Sequence, residues 1–262
     1  MKPKYAPLLL IGFALLLSNC KNDDDNMGIT PTGPMANNLL ALGLAAQDFL
    51  GSSAYPKMVV EFVYSDGFRP KQETLDDFRG FLTQRLNKPS GITFVETVIA
   101  PPAGAPFNSQ EIRDIEDNNR TQYTLGGTIA LYVYFSSGSR FGDTDTSVTL
   151  GTAYRNTSIV VYQKTLRDIS LGSGNYDLHI LESTTLQHEF GHVLGLVNIV
   201  EDDVHTQHED GAHPKHCFVE NCLMYFEAQA QTPQQLARLA ALADVPVLDP
   251  LCIEDLQAKG GK

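Results

Sequence analysis

The chain has 262 residues, 42% of them apolar, with no tryptophan and a formal net charge of −12. That length suffices for one sizeable domain or for two small lobes sharing a cleft. The acidic balance argues against nucleic acid as a partner, because such a chain repels a phosphate backbone.

The first residues have the pattern of a targeting segment. Lys2 and Lys4 precede an apolar run from Tyr5 to Leu17, too short for a bilayer, which takes about 20 residues, and of signal-peptide length. The run ends Leu17-Ser18-Asn19-Cys20, which resembles the bacterial lipobox, whose cysteine is lipidated and becomes the first residue of the mature protein. A soluble signal peptide followed by a chance cysteine is the alternative. Lys21-Asn22-Asp23-Asp24-Asp25-Asn26 is by itself a solvated tether. Directly after a lipidated cysteine it looks like the acidic export signal of Bacteroidetes surface lipoproteins. The expected organisation is a signal peptide over 1–19, a lipidated flexible tether over 20–36 attached through Cys20, and one domain over 37–262. The mature chain then carries 17 basic against 31 acidic residues, a net −14. The expected location is the outer membrane, facing outward or, alternatively, the periplasm, with the membrane reached through the lipid anchor.

Leucines and alanines at helical spacing predict a helix over Asn37–Leu50. Lys57–Tyr64 is rich in β-branched and aromatic residues and predicts a strand. Glu73–Leu86 places Leu75, Phe78, Phe81, Leu82 and Leu86 on one face, an amphipathic helix. Gly91–Ile99 predicts a second strand and Ser109–Arg120 a helix with acids in its first turn. Thr128–Phe135 is apolar almost throughout and predicts a central strand. Val148–Tyr154 and Ser158–Tyr162 are two further strands, Asp177–Gly195 a helix, 196–220 a long irregular stretch, and Thr232–Ala243 a final helix with Pro233 in its first turn. The order of these elements predicts an α/β fold with a mostly parallel sheet, its upper lobe over 37–195 and its lower lobe over 196–262.

The chemistry concentrates in the helix before the irregular stretch. His188-Glu189-Phe190-Gly191-His192 sets two histidines four residues apart, one turn along the same helix face, so both imidazoles can reach one metal ion. Glu189 follows the first ligand and sits beside the metal as a base. All seven histidines fall between His179 and His216, which argues for a metal site. Catalytic zinc takes three protein ligands and keeps one position open, so a third ligand is expected among His205, His208, His213 and His216. His179 is expected on the helix surface.

His188–Gly195 resembles the opening of the metzincin zinc-protease signature H-E-x-x-H-x-x-G-x-x-H, in which a third histidine follows the glycine by three residues. Asn198 stands at that place here. Further on, His216-Cys217-Phe218-Val219-Glu220-Asn221-Cys222-Leu223-Met224 is similar to the archaemetzincin continuation H-C-x4-C-x-M. That resemblance implies His216 as the third ligand, with His208 the alternative, and Met224 as the methionine of the turn beneath the metal. It requires an insertion of about 20 residues after Gly195, as leishmanolysin-type metzincins carry at this point. The arrangement from KMVVEFVY through RLNKPSGI to the HC and CLMY segments also resembles a Bacteroidetes family of membrane metalloproteases. A metzincin-like fold is thereby implied, with an edge strand at Leu150–Tyr154 lining the cleft. Its Gly151 and Ala153, with Tyr225 after the methionine, are the substrate-cleft candidates, although an ordinary amphipathic strand and a core tyrosine fit those residues equally.

Cys217, Cys222 and Cys252 form an odd set in the mature chain. In an oxidising compartment, a disulfide Cys217–Cys222 with one free thiol is expected. The archaemetzincin resemblance implies instead a second, structural zinc, with Asp249 in the place of a cysteine beside Cys217, Cys222 and Cys252. The functional expectation is a zinc-dependent endopeptidase acting on peptide or protein substrates, with Zn2+ as cofactor and Glu189 activating water. The alternative is a non-catalytic, zinc-stabilised surface lipoprotein, a binding module or adhesin.

Overall fold

A computed structural model describes residues 33–172, 176–226, 230–232, 235, 239 and 242–262. The signal peptide, Cys20, the tether up to residue 32 and most of the expected helix Thr232–Ala243 lie outside the described residues. Among those described, no helix is long and apolar enough to cross a membrane.

The framework is a five-stranded sheet in the order β2-β1-β3-β6-β5. Strands β1 (Lys57–Ser65), β2 (Ile92–Ile99), β3 (Thr128–Phe135) and β6 (Ser158–Val161) run parallel. Strand β5 (Gly151–Arg155) closes one edge antiparallel to β6. β1 and β3 are covered on both faces, which is why their sequences are almost continuously apolar. Alternation then divides β3 between two cores: Ile129, Leu131, Val133 and Phe135 face one, Tyr132 and Tyr134 the other. Glu61 interrupts the apolar run of β1 and is fully buried. Its carboxylate accepts from the amides of Thr121 and Gln122 and from the Thr121 hydroxyl, so its burial is compensated.

The helices are α1 (Ala46–Leu50), α2 (Gln72–Arg85), α3 (Ser109–Asn119), α4 (Gln163–Ser170), α5 (Leu178–Val193) and α6 (Pro250–Ala258). A capping box at Asn108 and Glu111 starts α3. The aromatic ring of Phe190, in the middle of α5, meets Phe78 of α2 and Phe49 of α1 edge-on at centroid distances of 5.4 and 5.6 Å. Leu223, Cys252 and Leu256 belong to the same apolar core as β1 and α2, so residues of both expected lobes share one interior.

Three expectations are corrected. Asn37–Leu50 is not one helix: a 3-10 turn covers Gly33–Asn38, and α1 begins only at Ala46. Gly43 lies between them with φ +83°, a conformation that stops a right-handed helix. Val148–Tyr154 is not one strand. It divides into β4 (Val148–Thr149) and β5, and β4 pairs with β7 (Ala230–Gln231) rather than with the main sheet. Finally, α4 and α6 were not anticipated, although Asp249-Pro250 carries a usable start signal: an N-cap carboxylate followed by proline at the first helical position.

Candidate metal centre

Helix α5 delivers the first two histidines. Asp177 caps it by accepting from the His179 amide at 2.9 Å, and Ile180 to Val193 are buried without interruption. Near its start, the buried carboxylate of Glu182 accepts from the Lys71 amide at 2.8 Å and from the Thr74 hydroxyl at 2.6 Å, fixing α5 to the first turn of α2. At its other end Gly195 takes φ +71°. The carbonyl of Gly195 accepts from Lys259 Nζ at 2.8 Å, and that buried ammonium also pairs with Asp202 and Asp203.

His188 and His192 approach to 3.1 Å between their Nε2 atoms. The ring of His216 stands 5.4 Å from that of His188 and 5.1 Å from that of His192. One nitrogen from each of the three lies within 4.8 Å of the others. His188 Nδ1–H donates to the Leu223 carbonyl at 2.8 Å, and His216 Nδ1–H donates to the Pro214 carbonyl at 3.1 Å. Those bonds fix the tautomer and leave Nε2 of each ring to act as a ligand. Burial, with the nearby His216, lowers the pKa of His188 to about 3, and burial with both neighbours holds His192 well below the usual range. Both rings are therefore neutral at neutral pH, as metal ligation requires. Nδ1 of His192 is buried with no hydrogen-bond partner among the described residues. This donor set fits a Zn2+ ion.

Glu189 is fully buried beside these rings. Its Oε2 accepts from the Ala153 amide at 2.7 Å, whereas Oε1 has no partner among the described residues. Burial raises its pKa to about 8, with the Ala153 amide opposing. Gly151 makes room for it: a Cβ there would stand 2.9 Å from Glu189 Cγ and 2.7 Å from Thr185 Cγ2. The edge strand thus touches the carboxylate directly, and Ala153 N–H is engaged by Glu189. Met224 lies under α5, where a Cβ on Gly191 would come within 2.3 Å of its sulfur. Tyr225 follows, its ring 4.7 Å from that of Phe226.

Asn198 does not reach the histidines. It adopts φ +61°, which asparagine tolerates better than most residues. Its amide donates to Asp203 Oδ2 at 2.6 Å, and its carbonyl accepts from Lys215 Nζ. The residue therefore turns the chain into the inserted loop. The remaining histidines have other partners. His179 pairs with Asp77 at 2.7 Å, His205 with Asp255 at 3.0 Å, and His213 stacks on Phe226 at 3.6 Å and pairs with Asp210.

His208, the alternative third ligand, belongs to a different cluster. His208, Cys217, Asp249 and Cys252 form a second buried group able to hold a metal ion. His208 Nδ1 lies 3.6 Å from Cys217 Sγ and 3.7 Å from Cys252 Sγ, and Cys222 Sγ lies 3.7 Å from Cys252 Sγ. The three cysteines are free thiols, so the expected Cys217–Cys222 disulfide is not formed. Hydrogen bonds from Cys217 and Cys252 lower the Cys222 thiol to about 5. Burial raises the Asp249 pKa, but thiol and amide donors outweigh it and hold the group at about 2. Asp249 Oδ1 caps α6 by accepting from Leu251 and Cys252, and Oδ2 accepts from Cys217 at 2.9 Å. His208 Nε2–H donates to the buried Asp255 at 3.1 Å, which directs Nδ1 at the thiols. The expected set thus gains a member: Asp249 caps α6 through Oδ1 but keeps Oδ2 in the group, 3.6 Å from His208 Nδ1, and His208 joins it beside the sulfurs. No sequence signal links His208 to Cys252, 44 residues away. The carboxylate–imidazole–metal arrangement emerges only on folding.

No protein-family model matches the chain, and no curated protein matches it. Among solved structures it is similar to the crystal structure of archaemetzincin from Methanopyrus kandleri, with a TM-score of 0.50 and 18% identity over 78% of this chain and 96% of that one. It also matches a zinc-dependent peptidase from Methanocorpusculum labreanum, with a TM-score of 0.43 and 14% identity over 75% and 99% of the two chains. At 18% identity the first likeness is one of architecture, and on that ground the chain has an archaemetzincin-like fold.

Proposed function

We propose that the protein is a zinc-dependent peptidase of metzincin type, acting as an endopeptidase. The observation that carries this reading is the convergence of three imidazole nitrogens, from His188, His192 and His216, beside the buried carboxylate of Glu189. Bound there, Zn2+ supplies Lewis acidity toward a peptide carbonyl and toward water. Glu189 Oε1 is the free acceptor that takes a proton from water and returns it to the leaving amine. Ala153 N–H holds the other oxygen. β5 is the edge strand of the sheet, and its backbone groups other than Ala153 N–H offer a peptide an extended partner by strand addition. The second group, with His208, Cys217, Asp249 and Cys252, fits a structural Zn2+. The lipid attachment at Cys20 and an outer-membrane location rest on the sequence pattern alone and complete the proposal.

The test is Glu189→Ala in zinc-loaded protein, assayed on a mixed peptide library with metal content measured in parallel. Loss of hydrolysis by at least a hundredfold, of the order expected for a general base, at unchanged zinc is the expected result. Equal hydrolysis by the variant would refute the assignment.

A further inference from the structure

The two metal-capable groups share one short piece of chain. Cys217 follows His216 directly, and Leu223, whose carbonyl holds His188 Nδ1 at 2.8 Å, follows Cys222 directly. Two of the three histidines are thus set by backbone one residue from a thiol. The segment between is tied into a compact knot: Cys217 N donates to the Met224 carbonyl at 2.8 Å, Phe218 N to the His208 carbonyl at 3.0 Å, and Asp210 N to the His216 carbonyl at 2.7 Å. Glu209 and Cys217 form an antiparallel bridge, and Cys217 a parallel one with Tyr225. Outside this knot the inserted loop has no helix or strand of its own from Leu194 onward, and Val197, Asn198, Glu201 and Lys215 all adopt positive φ. Non-glycine residues seldom adopt that conformation unless other contacts hold them in it.

The side chains of this cluster come from three places. Cys217 and Cys222 lie in the knot, Cys252 on α6, and His208 in the loop 44 residues before Cys252. Without an ion these side chains are joined to one another by long sulfur contacts of 3.6–3.7 Å, weaker links than metal–thiolate bonds of about 2.3 Å.

We propose that a metal ion held by His208, Cys217, Asp249 and Cys252 is the clamp that presents His216 and the Leu223 carbonyl to the α5 histidines, so that metal affinity at the three-histidine site depends on occupancy of the thiol site. His208 and Cys252 are then positioning residues for a centre they do not touch. This proposal rests on the reading of His188, His192 and His216 as metal ligands.

The experiment titrates metal-free full-length protein with Co2+, which reports the two sites separately: thiolate ligation gives intense charge-transfer absorption, whereas a three-histidine site gives only weak ligand-field bands. Wild type is compared with Cys252→Ser and His208→Asn. The expected result is loss or weakening of the charge-transfer band, together with a fall of about 10- to 100-fold in Co2+ affinity at the three-histidine site, the range seen when the partners of a ligand are removed. Unchanged affinity at that site in a folded variant lacking the thiolate band overturns the proposal. Failure of the underlying reading looks different: wild type would then show no ligand-field bands that His192→Ala removes. Should neither variant fold, amide exchange in wild type decides. Protection of the Asp210, Cys217 and Phe218 amides by the first equivalent of zinc is expected, and equal exchange with and without it overturns the clamp.

Discussion

Gly191 sits in the last turn of α5 between Glu189 and His192, and its replacement by alanine is a measurable probe of how tightly Met224 supports the helix that carries the histidines. In an open helix, glycine to alanine stabilises by about 1 kcal/mol. At Gly191 the new Cβ would lie 2.3 Å from Met224 Sδ, 3.0 Å from Met224 Cε and 3.6 Å from Leu196 Cδ1. Met224 is fully buried, so its thioether can yield only by pushing on other core atoms, and overpacking of this kind costs about 1–3 kcal/mol. The balance is a net loss of about 0–2 kcal/mol. Gly80, inside α2, supplies the internal control, because a Cβ there meets nothing within 4 Å. Gly80→Ala should therefore gain about 1 kcal/mol, and the two variants should differ by the overpacking cost alone. For a chain of this size each kcal/mol moves Tm by about 2–4 °C, so urea or thermal unfolding of the two variants resolves the difference. Because Met224 adjoins Leu223, whose carbonyl orients His188, Gly191→Ala should also weaken metal retention and Gly80→Ala should not. A Gly191→Ala protein as stabilised as Gly80→Ala would refute the packing argument.

Two further outcomes follow from the same geometry. In metal-free protein Glu189 has its pKa raised to about 8, so the stability it contributes is present below its ordinary value of about 4.5 and is lost as pH rises through 8. His188 and His192 are depressed, so their contribution is present above about 6.5 and is lost as pH falls below it. Below 6.5 the two histidines outweigh the one carboxyl, and above it the carboxyl acts without them. Stability of the metal-free protein should therefore peak near pH 6.5, and Glu189→Gln should remove about 2 kcal/mol of the decline between pH 6.5 and 8, at 1.36 kcal/mol per pKa unit. Identical Tm-against-pH curves for the two proteins would contradict this. Separately, Gly151→Ala presses on Glu189 Cγ and Thr185 Cγ2 and should lower kcat by about tenfold or more through displacement of the carboxylate. Zinc content should be unchanged, and a variant with full kcat would show that the close approach of the edge strand is dispensable.

The parallel sheet was legible because β1, β2 and β3 are runs of β-branched and aromatic residues whose ends coincide with glycine, proline or polar turns. Thr128–Phe135 was expected and found with the same bounds. The half-site on α5 was legible because an i, i+4 histidine pair needs only local helix geometry. What the sequence hid depends on contacts across long separations. Leu150 divides the expected strand because its carbonyl accepts from the Tyr162 amide while β4 turns aside to pair with β7. His208 could not be told from the other loop histidines, since its association with Cys252 and Asp255 depends on how the inserted loop folds back over α6. Asn198 was legible as a departure from a motif, but its purpose as a left-handed turn residue required the backbone angle. The disulfide expectation failed for a related reason: spacing alone offers Cys217 and Cys222 to each other, while the fold sets Cys222 3.7 Å from Cys252.

The ties that close α5 also bear on the order in which the chain can assemble. Lys259 reaches the Gly195 carbonyl across 64 residues, Asn87 donates to Gly260 across 173, and Lys262 Nζ donates to Thr83 across 179. The parallel pairs β1–β2 and β1–β3 close over much shorter stretches and can form while later residues are still being synthesised. Contacts of such long separation pay their loop-closure entropy last. The end of α5 that carries His188 and His192 is therefore tied down only after the strand framework exists and α6 has left the ribosome, so the three-histidine cluster is among the last parts of the fold to be completed.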